Sequence, residues 1–209
     1  MRYSHIFWDF DGTLFNTYPS TAKCFAEFMA ARGHNIPEKE IYNRIKITFA
    51  DAAAYYSQKC GIEHGEIISG VKQLRREREA EFAEPFPGAA EICRAVTENG
   101  GENYLYTHRG ASAIALLKLH NMDAFFTDYV TGSLDFPRKP APDALNYLIE
   151  KHRINRADAI MVGDRELDIE AGLNANIHAC FFTESGEAET KAGYIAKYFS
   201  DFYEIFLLK

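Results

Sequence analysis

The sequence predicts an α/β fold with a mostly parallel sheet, interrupted near its start by an all-helical insertion. The segment HIFW, residues 5–8, reads as a short buried strand that ends at Asp9 and Asp11. From about Pro19 to Glu84 the apolar residues recur at helical spacing only. After that point strand and helix patterns alternate, which is typical of right-handed crossovers and a parallel sheet.

The insertion contains three clear helical segments. STAKCFAEFMAARG ends at Gly33, and FADAAAYYSQKCG ends at Gly61. The third segment, ISGVKQLRREREAEFAE, mixes charges of both signs, which indicates a solvated helix face. We therefore predict a core domain of residues 1–16 and 85–209 and a helical cap domain of residues 17–84.

The remaining elements follow in alternation. The predicted helices are PGAAEICRAVTENGG, ASAIALLKLHN, APDALNYLIEKHR and ELDIEAGLNA, and the predicted strands are NYLYT, DYVTG, DAIMVGD and IHACFFT. The tail from Tyr194 to Leu208 is predicted to be a last helix. Open parallel sheets bind ligands at the carboxyl ends of their strands, so the cap is expected to lie over that edge.

Composition excludes some classes of protein. Of 209 residues, 47% are hydrophobic and 25% charged, as in an ordinary globular protein. The net charge of −7 argues against nucleic-acid binding but leaves a phosphorylated substrate open, because a metal ion and local cations decide the field in a cleft. The sequence shows no signal peptide and no apolar run near the roughly 18 residues of a membrane span, so we expect a cytoplasmic protein. Four scattered cysteines without a CxxC pair are expected to be reduced thiols.

Polar residues that can carry chemistry follow the predicted strands. They are Asp9, Asp11, Thr107, His108, Arg109, Lys139, Asp164 and Asp168. Each has an ordinary structural explanation: a threonine can cap a helix, a lysine before proline can be solvated, and aspartates favour a helix start. Together they form a set of carboxylates, a hydroxyl and an ammonium at one edge of a sheet.

This set suits phosphoryl transfer. Hard oxygen ligands favour Mg²⁺, which also accepts phosphate oxygens. A carboxylate nucleophile can form an acyl phosphate, and a second carboxylate can protonate the leaving alcohol and then activate water. Asp9 and Asp11 would then divide the two tasks, with a cation limiting their repulsion.

The motifs FWDFDGTL, YTHRG, RKPAPDAL and VGDRELDIEAGLNA, in this order, resemble those of the haloacid dehalogenase-like hydrolases. Their spacing is similar to the subgroup with a helical cap after the first motif, which includes phosphoglycolate phosphatase. The resemblance covers essentially the whole chain, although the cap matches by pattern only. It implies a Rossmann-like core with helices on both faces and Mg²⁺ as cofactor.

Catalytic roles follow from the resemblance. It implies that Asp9 is the nucleophile and that Asp11 is the acid/base. Thr107 and Lys139 would hold the transferring phosphoryl group. Members that cleave carbon–halogen bonds lack the aspartate equivalent to Asp11, so the resemblance favours hydrolysis of phosphate esters.

The same resemblance implies a set of metal ligands. Asp9 and Asp164 would bind Mg²⁺ directly, and Asp11 through its backbone carbonyl. Asp168 would support the site, through water or through Lys139.

A further set of residues are candidate substrate contacts. They are Thr107, His108, Arg109, Lys139, Arg44 and Lys46. Arg109 either adds a cation beside the phosphate or stays solvated, and Arg44 and Lys46 either meet the leaving group or are surface charges of the cap. The expected partner is a small phosphorylated metabolite, with no nucleic acid or membrane, bound by a monomer or homodimer.

Two other functions remain open. A phosphosugar mutase of the same superfamily is disfavoured because Thr21 stands where such relatives usually carry a cap histidine. A phospho-acceptor switch resembling receiver domains also uses aspartate, threonine, lysine and Mg²⁺. Receivers, however, are shorter, have no helical insertion and place the acidic pair before the phosphorylated aspartate.

Overall fold

A computed structural model of the protein describes residues 1–78 and 83–208. The chain forms two compact units. We call Met1–Phe15 with Pro85–Lys209 the core unit and Asn16–Glu84 the helical unit. Two short strands, β2 (Phe15–Asn16) and β3 (Glu84–Pro85), pair where the chain leaves and re-enters the core unit.

The core unit contains a six-stranded parallel sheet. Its strands are β1 (His5–Trp8), β4 (Glu102–Tyr106), β5 (Phe126–Val130), β6 (Ala159–Gly163), β7 (His178–Phe182) and β8 (Tyr194–Ala196). They are arranged in the order β5-β4-β1-β6-β7-β8. Phe7 of β1 pairs with Tyr104 on one side and Met161 on the other. The predicted α/β class with a mostly parallel sheet is therefore confirmed.

The helices of the core unit connect these strands. They are α5 (Ala89–Glu98), α6 (Ser112–Leu119), α7 (Asp143–His152) and α8 (Glu166–Asn174). On one face of the sheet, Phe7 and Met161 join a buried cluster with Leu145 and Leu148 of α7. Alternation along β1 directs Trp8 to the opposite face. Burial on both faces explains why β1 reads as a continuous apolar run.

Trp8 is fixed on that second face by rings and by one polar contact. Its indole stacks on Phe199 at 6.2 Å and meets Phe202 edge-on at 5.2 Å. The indole Nε1 donates to Asn103 Oδ1 at 2.9 Å, and Asn103 Nδ2 donates to the carbonyl of Cys93 in α5 at 2.9 Å. The buried amide and indole therefore satisfy each other, as buried polar groups must.

The helical unit contains α1 (Tyr18–Ala30), α2 (Glu38–Ile45), α3 (Phe49–Cys60) and α4 (His64–Arg78). Phe25, Ile41, Tyr56 and Val71 contribute one side chain from each helix to a shared buried cluster. Of the predicted charged helix, residues 79–82 lie outside the described part of the chain.

The predicted C-terminal helix over Tyr194–Leu208 is wrong at its start and is confirmed only near its end. Tyr194–Ala196 forms the edge strand β8, in parallel register with Cys180–Phe182 of β7. A π-helix at Tyr203–Leu207 follows, so the end of the tail is helical. The tail is too short to reveal strand alternation by itself, and the open edge of β7 decides its conformation.

Within the described residues, no helix combines the length and apolar character that crossing a membrane requires. The four cysteines are free thiols, and three of them are buried.

Candidate active site

The candidate site lies at the carboxyl end of the sheet. Strand β1 is central, between β4 and β6. Asp9 directly follows β1, Thr107 follows β4 and Asp164 follows β6. The strand order runs outward from β1 through β4 on one side and through β6 on the other. Open parallel sheets bind ligands at the carboxyl ends of the strands at such a reversal point.

Lys139 lies at the centre of a buried group of charges. Its Nζ donates to Asp9 Oδ1 at 2.6 Å, to Asp168 Oδ1 at 2.7 Å and to the carbonyl of Tyr106 at 2.8 Å. The Lys139 and Asp9 side chains are 1% exposed. Burial opposes the charge of Lys139, but the carboxylates of Asp168 and Asp9 outweigh it and raise the pKa of the ammonium. Lys139 is therefore held as a cation with all three of its donors directed.

Asp168 is fully buried and engaged through both oxygens. Oδ1 accepts from Lys139, and Oδ2 accepts from the backbone N–H of Arg165 at 3.1 Å. The second bond caps the start of α8, because the Asp168 carboxylate accepts from the backbone N–H of the residue that precedes the helix. The helix start thus orients the carboxylate that orients Lys139.

Asp11 pairs with a different cation. Arg109 Nη2 donates to Asp11 Oδ1 at 2.5 Å, and Nε lies 3.2 Å from both carboxylate oxygens. Arg109 is only 8% exposed, so it is not a solvated residue. Its guanidinium carbon lies 5.1 Å from the centre of the Phe10 ring. The repulsion expected between Asp9 and Asp11 is therefore relieved by one cation each, Lys139 beside Asp9 and Arg109 beside Asp11.

The second carboxylate oxygen of Asp9 can bind a further group. Burial, partly offset by Lys139, raises the pKa of Asp9 to about 6. Its Oδ2 is buried and has no hydrogen-bond partner among the described residues. Carboxylate oxygens of Asp9, Asp164 and Asp168 lie within 4.8 Å of one another. This buried oxygen and the all-oxygen donor set fit a small divalent cation such as Mg²⁺.

The loop after β4 brings Thr107 and His108 to the site. Thr107 is 2% exposed, and its Oγ1 accepts from the backbone N–H of Arg109 at 3.0 Å. His108 Nε2 accepts from the backbone N–H of Lys139 at 2.9 Å. This second contact joins two loops that are distant in sequence.

His108 should make stability depend on pH. Burial, and then the positive charges of Lys139, Arg138 and Arg165, lower the pKa of His108 to about 4. In the unfolded chain His108 takes up its proton near the usual histidine pKa of about 6.5. The contribution of neutral His108 to stability is therefore fully present above about pH 6.5 and is lost as the pH falls toward about 4. Thermal unfolding should therefore show wild type losing more stability than His108→Gln on acidification. An equal loss of stability in wild type and His108→Gln on acidification would contradict this prediction.

Gly163, which the sequence reasoning did not single out, leaves room for Asp168. A Cβ at this position would lie 2.1 Å from Asp168 Cβ and 2.5 Å from Cγ. Gly163→Ala is expected to displace Asp168 and lower the free energy of unfolding by about 1–3 kcal/mol. Denaturant unfolding measures the change.

Gly193→Ala is the matched control, since the nearest atom to its added Cβ would be 3.9 Å away. Equal stability of the two variants would show that Gly163 is not a packing constraint.

Arg44 and Lys46 lie in the helical unit. The guanidinium carbon of Arg44 is 3.2 Å from the centre of the Tyr55 ring. Lys46 is exposed, with its Nζ 5.5 Å from the Tyr42 ring and 5.8 Å from the Tyr18 ring. Both side chains are therefore placed by aromatic neighbours of their own unit.

Comparisons with known proteins cover most of the chain. A family model described as haloacid dehalogenase-like hydrolase matches residues 6–182. A phosphoglycolate phosphatase of Vibrio parahaemolyticus is 25% identical over 183 residues, which are 81% of this chain and 79% of that protein.

Solved structures have a similar fold. A hydrolase from Streptococcus pneumoniae TIGR4 has a TM-score of 0.69 at 30% identity, over 88% of this chain and 94% of that one. A haloacid dehalogenase-superfamily hydrolase from Geobacter sulfurreducens PCA has a TM-score of 0.78 at 20% identity, over 100% and 97% of the two chains.

Proposed function

This chain belongs to the haloacid dehalogenase-like hydrolase family, and on that premise we propose that it is a Mg²⁺-dependent phosphatase of a small phosphorylated metabolite. One observation carries the proposal. Asp9 is held against Lys139 at the end of β1, while its second oxygen is buried without a partner among the described residues. A fixed carboxylate beside a cation is what phosphoryl transfer to an aspartate requires.

In the first step, a carboxylate oxygen of Asp9 attacks phosphorus, and the bond from phosphorus to the leaving oxygen breaks. Asp11 gives its proton to that oxygen, so the product leaves as a neutral alcohol. For this Asp11 must carry a proton at the start of the step and must leave its contact with Arg109. Lys139 and Thr107 bind the phosphoryl oxygens, whose charge is greatest during transfer.

In the second step, Asp11 takes a proton from water, and the water oxygen attacks the phosphorus of the aspartyl phosphate. The bond between phosphorus and Asp9 breaks, which releases inorganic phosphate, restores the carboxylate of Asp9 and leaves Asp11 protonated for the next cycle. The pKa of about 6 leaves Asp9 mostly ionised at neutral pH and able to attack again.

We propose that Asp9 and Asp164 bind Mg²⁺ directly, with the carbonyl of Asp11. Both oxygens of Asp168 already accept hydrogen bonds, so Asp168 would act through Lys139 or water. When bound, Mg²⁺ neutralises charge on the phosphoryl group and aligns it with the nucleophile.

The proposal also names a candidate substrate and the residues that would contact it. The name of the Vibrio relative makes phosphoglycolate a first candidate. Thr107, His108, Arg109 and Lys139 are candidate contacts in the core unit, and Arg44 and Lys46 are candidates in the helical unit.

The test is phosphate release from phosphoglycolate, sugar phosphates, nucleoside monophosphates and an aryl phosphate, each with and without Mg²⁺. We expect repeated turnover that requires Mg²⁺ and stops when excess chelator is added. Full activity in chelator would remove the metal from the mechanism. A single burst of phosphorylation without turnover would instead favour the phospho-acceptor switch.

A further inference from the structure

We propose that His108 is a positioning residue, which fixes the main chain of Lys139 so that the lysine ammonium is placed between Asp9 and Asp168. The observation is the contact of His108 Nε2 with the Lys139 amide at 2.9 Å. The hydrogen bond is independent of the enzyme's reaction, but its effect on turnover rests on the proposed function.

The contact determines the state of the imidazole. A backbone N–H can only donate, so Nε2 must be unprotonated and the ring proton must be on Nδ1. Burial and nearby cations lower the pKa of His108, which keeps this neutral form at neutral pH. Because Lys139 is 4% exposed, its amide has little access to water as an alternative acceptor.

Residues at the end of β4 contact both the backbone amide and the side-chain ammonium of Lys139. The amide of Lys139 donates to His108, and its ammonium donates to the carbonyl of Tyr106 at 2.8 Å. The ring centres of Tyr106 and His108 are 6.2 Å apart at 80°, an edge-on contact that orients the imidazole. Tyr106 and His108, on either side of Thr107, thereby set the position of the lysine.

The loop after β5 fixes His108 from the other side. Gly132 donates its N–H to the carbonyl of Arg109 at 2.7 Å. A Cβ on Gly132 would lie 2.2 Å from the carbonyl oxygen of His108, so only glycine permits this approach. Residues 107–109 and 131–139 are therefore tied at two points, one at Gly132 and one at Lys139.

Two replacements separate the hydrogen bond from the ring. His108→Gln places an amide oxygen near the position of Nε2, whereas His108→Phe keeps a ring of similar size without an acceptor. His178→Ala removes an exposed histidine from the start of β7 and is the matched control. Thermal unfolding at pH 8 verifies that each variant is folded.

The decisive readout is NMR of the labelled full chain. In wild type we expect a ¹⁵N–¹⁵N coupling across the bond between the Lys139 amide and His108 Nε2, and a slowly exchanging ammonium signal from Lys139. His108→Phe should lose the coupling and shift the ammonium signal, and His108→Gln should retain the ammonium signal. A wild type without the coupling, or an unshifted ammonium in folded His108→Phe, would overturn the proposal.

Kinetics of aryl phosphate hydrolysis give the effect on turnover. His108→Phe should lower kcat by about tenfold, the scale of one unsatisfied buried donor, with a smaller change in KM. His108→Gln should recover most of that loss, and His178→Ala should match wild type. If no protein releases phosphate while the NMR result holds, the proposed function fails and the positioning role stands.

Discussion

Asp9→Asn is expected to lower the rate of phosphate release by about three orders of magnitude or more, because an amide cannot replace the carboxylate nucleophile. The change keeps the shape of the side chain. It removes a carboxylate whose burial raises its pKa and also removes its attraction to Lys139, so the two effects on stability oppose each other. Thermal unfolding should show a folded protein. Phosphate release measures the activity.

Asp135→Asn is the control for the loss of one negative charge, since Asp135 is exposed on the loop after β5. It should retain wild-type activity. The aspartyl phosphate should be trapped by rapid acid quench in wild type and be absent from Asp9→Asn. A variant at Asp9 that keeps more than a few per cent of the rate would exclude this residue as the nucleophile.

Lys139→Met is expected to abolish activity and to lower the free energy of unfolding by about 3–5 kcal/mol, since it leaves buried carboxylates without their cation. Asp9 and Asp168 are 1% and 0% exposed beside Lys139, so water cannot replace the ammonium. Loss of the cation raises the pKa of Asp9 further. The stability deficit should therefore shrink as pH falls and Asp9 binds a proton.

Denaturant unfolding at pH 8 and pH 5 measures this deficit. In the Lys139→Met background, Asp9→Asn removes one of the stranded charges and should restore part of the stability but none of the activity. Lys118→Met, at an exposed position of α6, is the control for losing a lysine. Equal stability of Lys139→Met and Lys118→Met would show that the buried charges do not depend on Lys139.

Much of the core sheet could be predicted from the sequence because each buried parallel strand is a short apolar run between turn signals. NYLYT predicted β4, and DAIMVGD predicted β6, within a residue or two of their bounds. In a parallel sheet the residues that follow each strand lie at the same edge, so the topology alone places them together. That is why the chemistry-bearing residues at β1, β4 and β6 could be grouped before their distances were known.

Contacts between loops could not be predicted in this way. The pairing of Arg109 with Asp11 and of His108 with the Lys139 amide depends on how two loops approach, and no local pattern encodes that. The space that Gly163 leaves for Asp168 is likewise a three-dimensional property. Helix α2 was not predicted, although the spacing of Ile41 and Ile45 marks one helix face.

Trp8 has a practical consequence for following the two units separately. It is the only tryptophan of the chain, is fully buried, and directly precedes Asp9. Its fluorescence therefore reports on the core unit alone, whereas far-ultraviolet circular dichroism sums the helices of both units. If the helical unit melts before the core unit, the dichroism signal will change while the emission of Trp8 stays constant. The protein carries its own optical probe one residue from the proposed nucleophile.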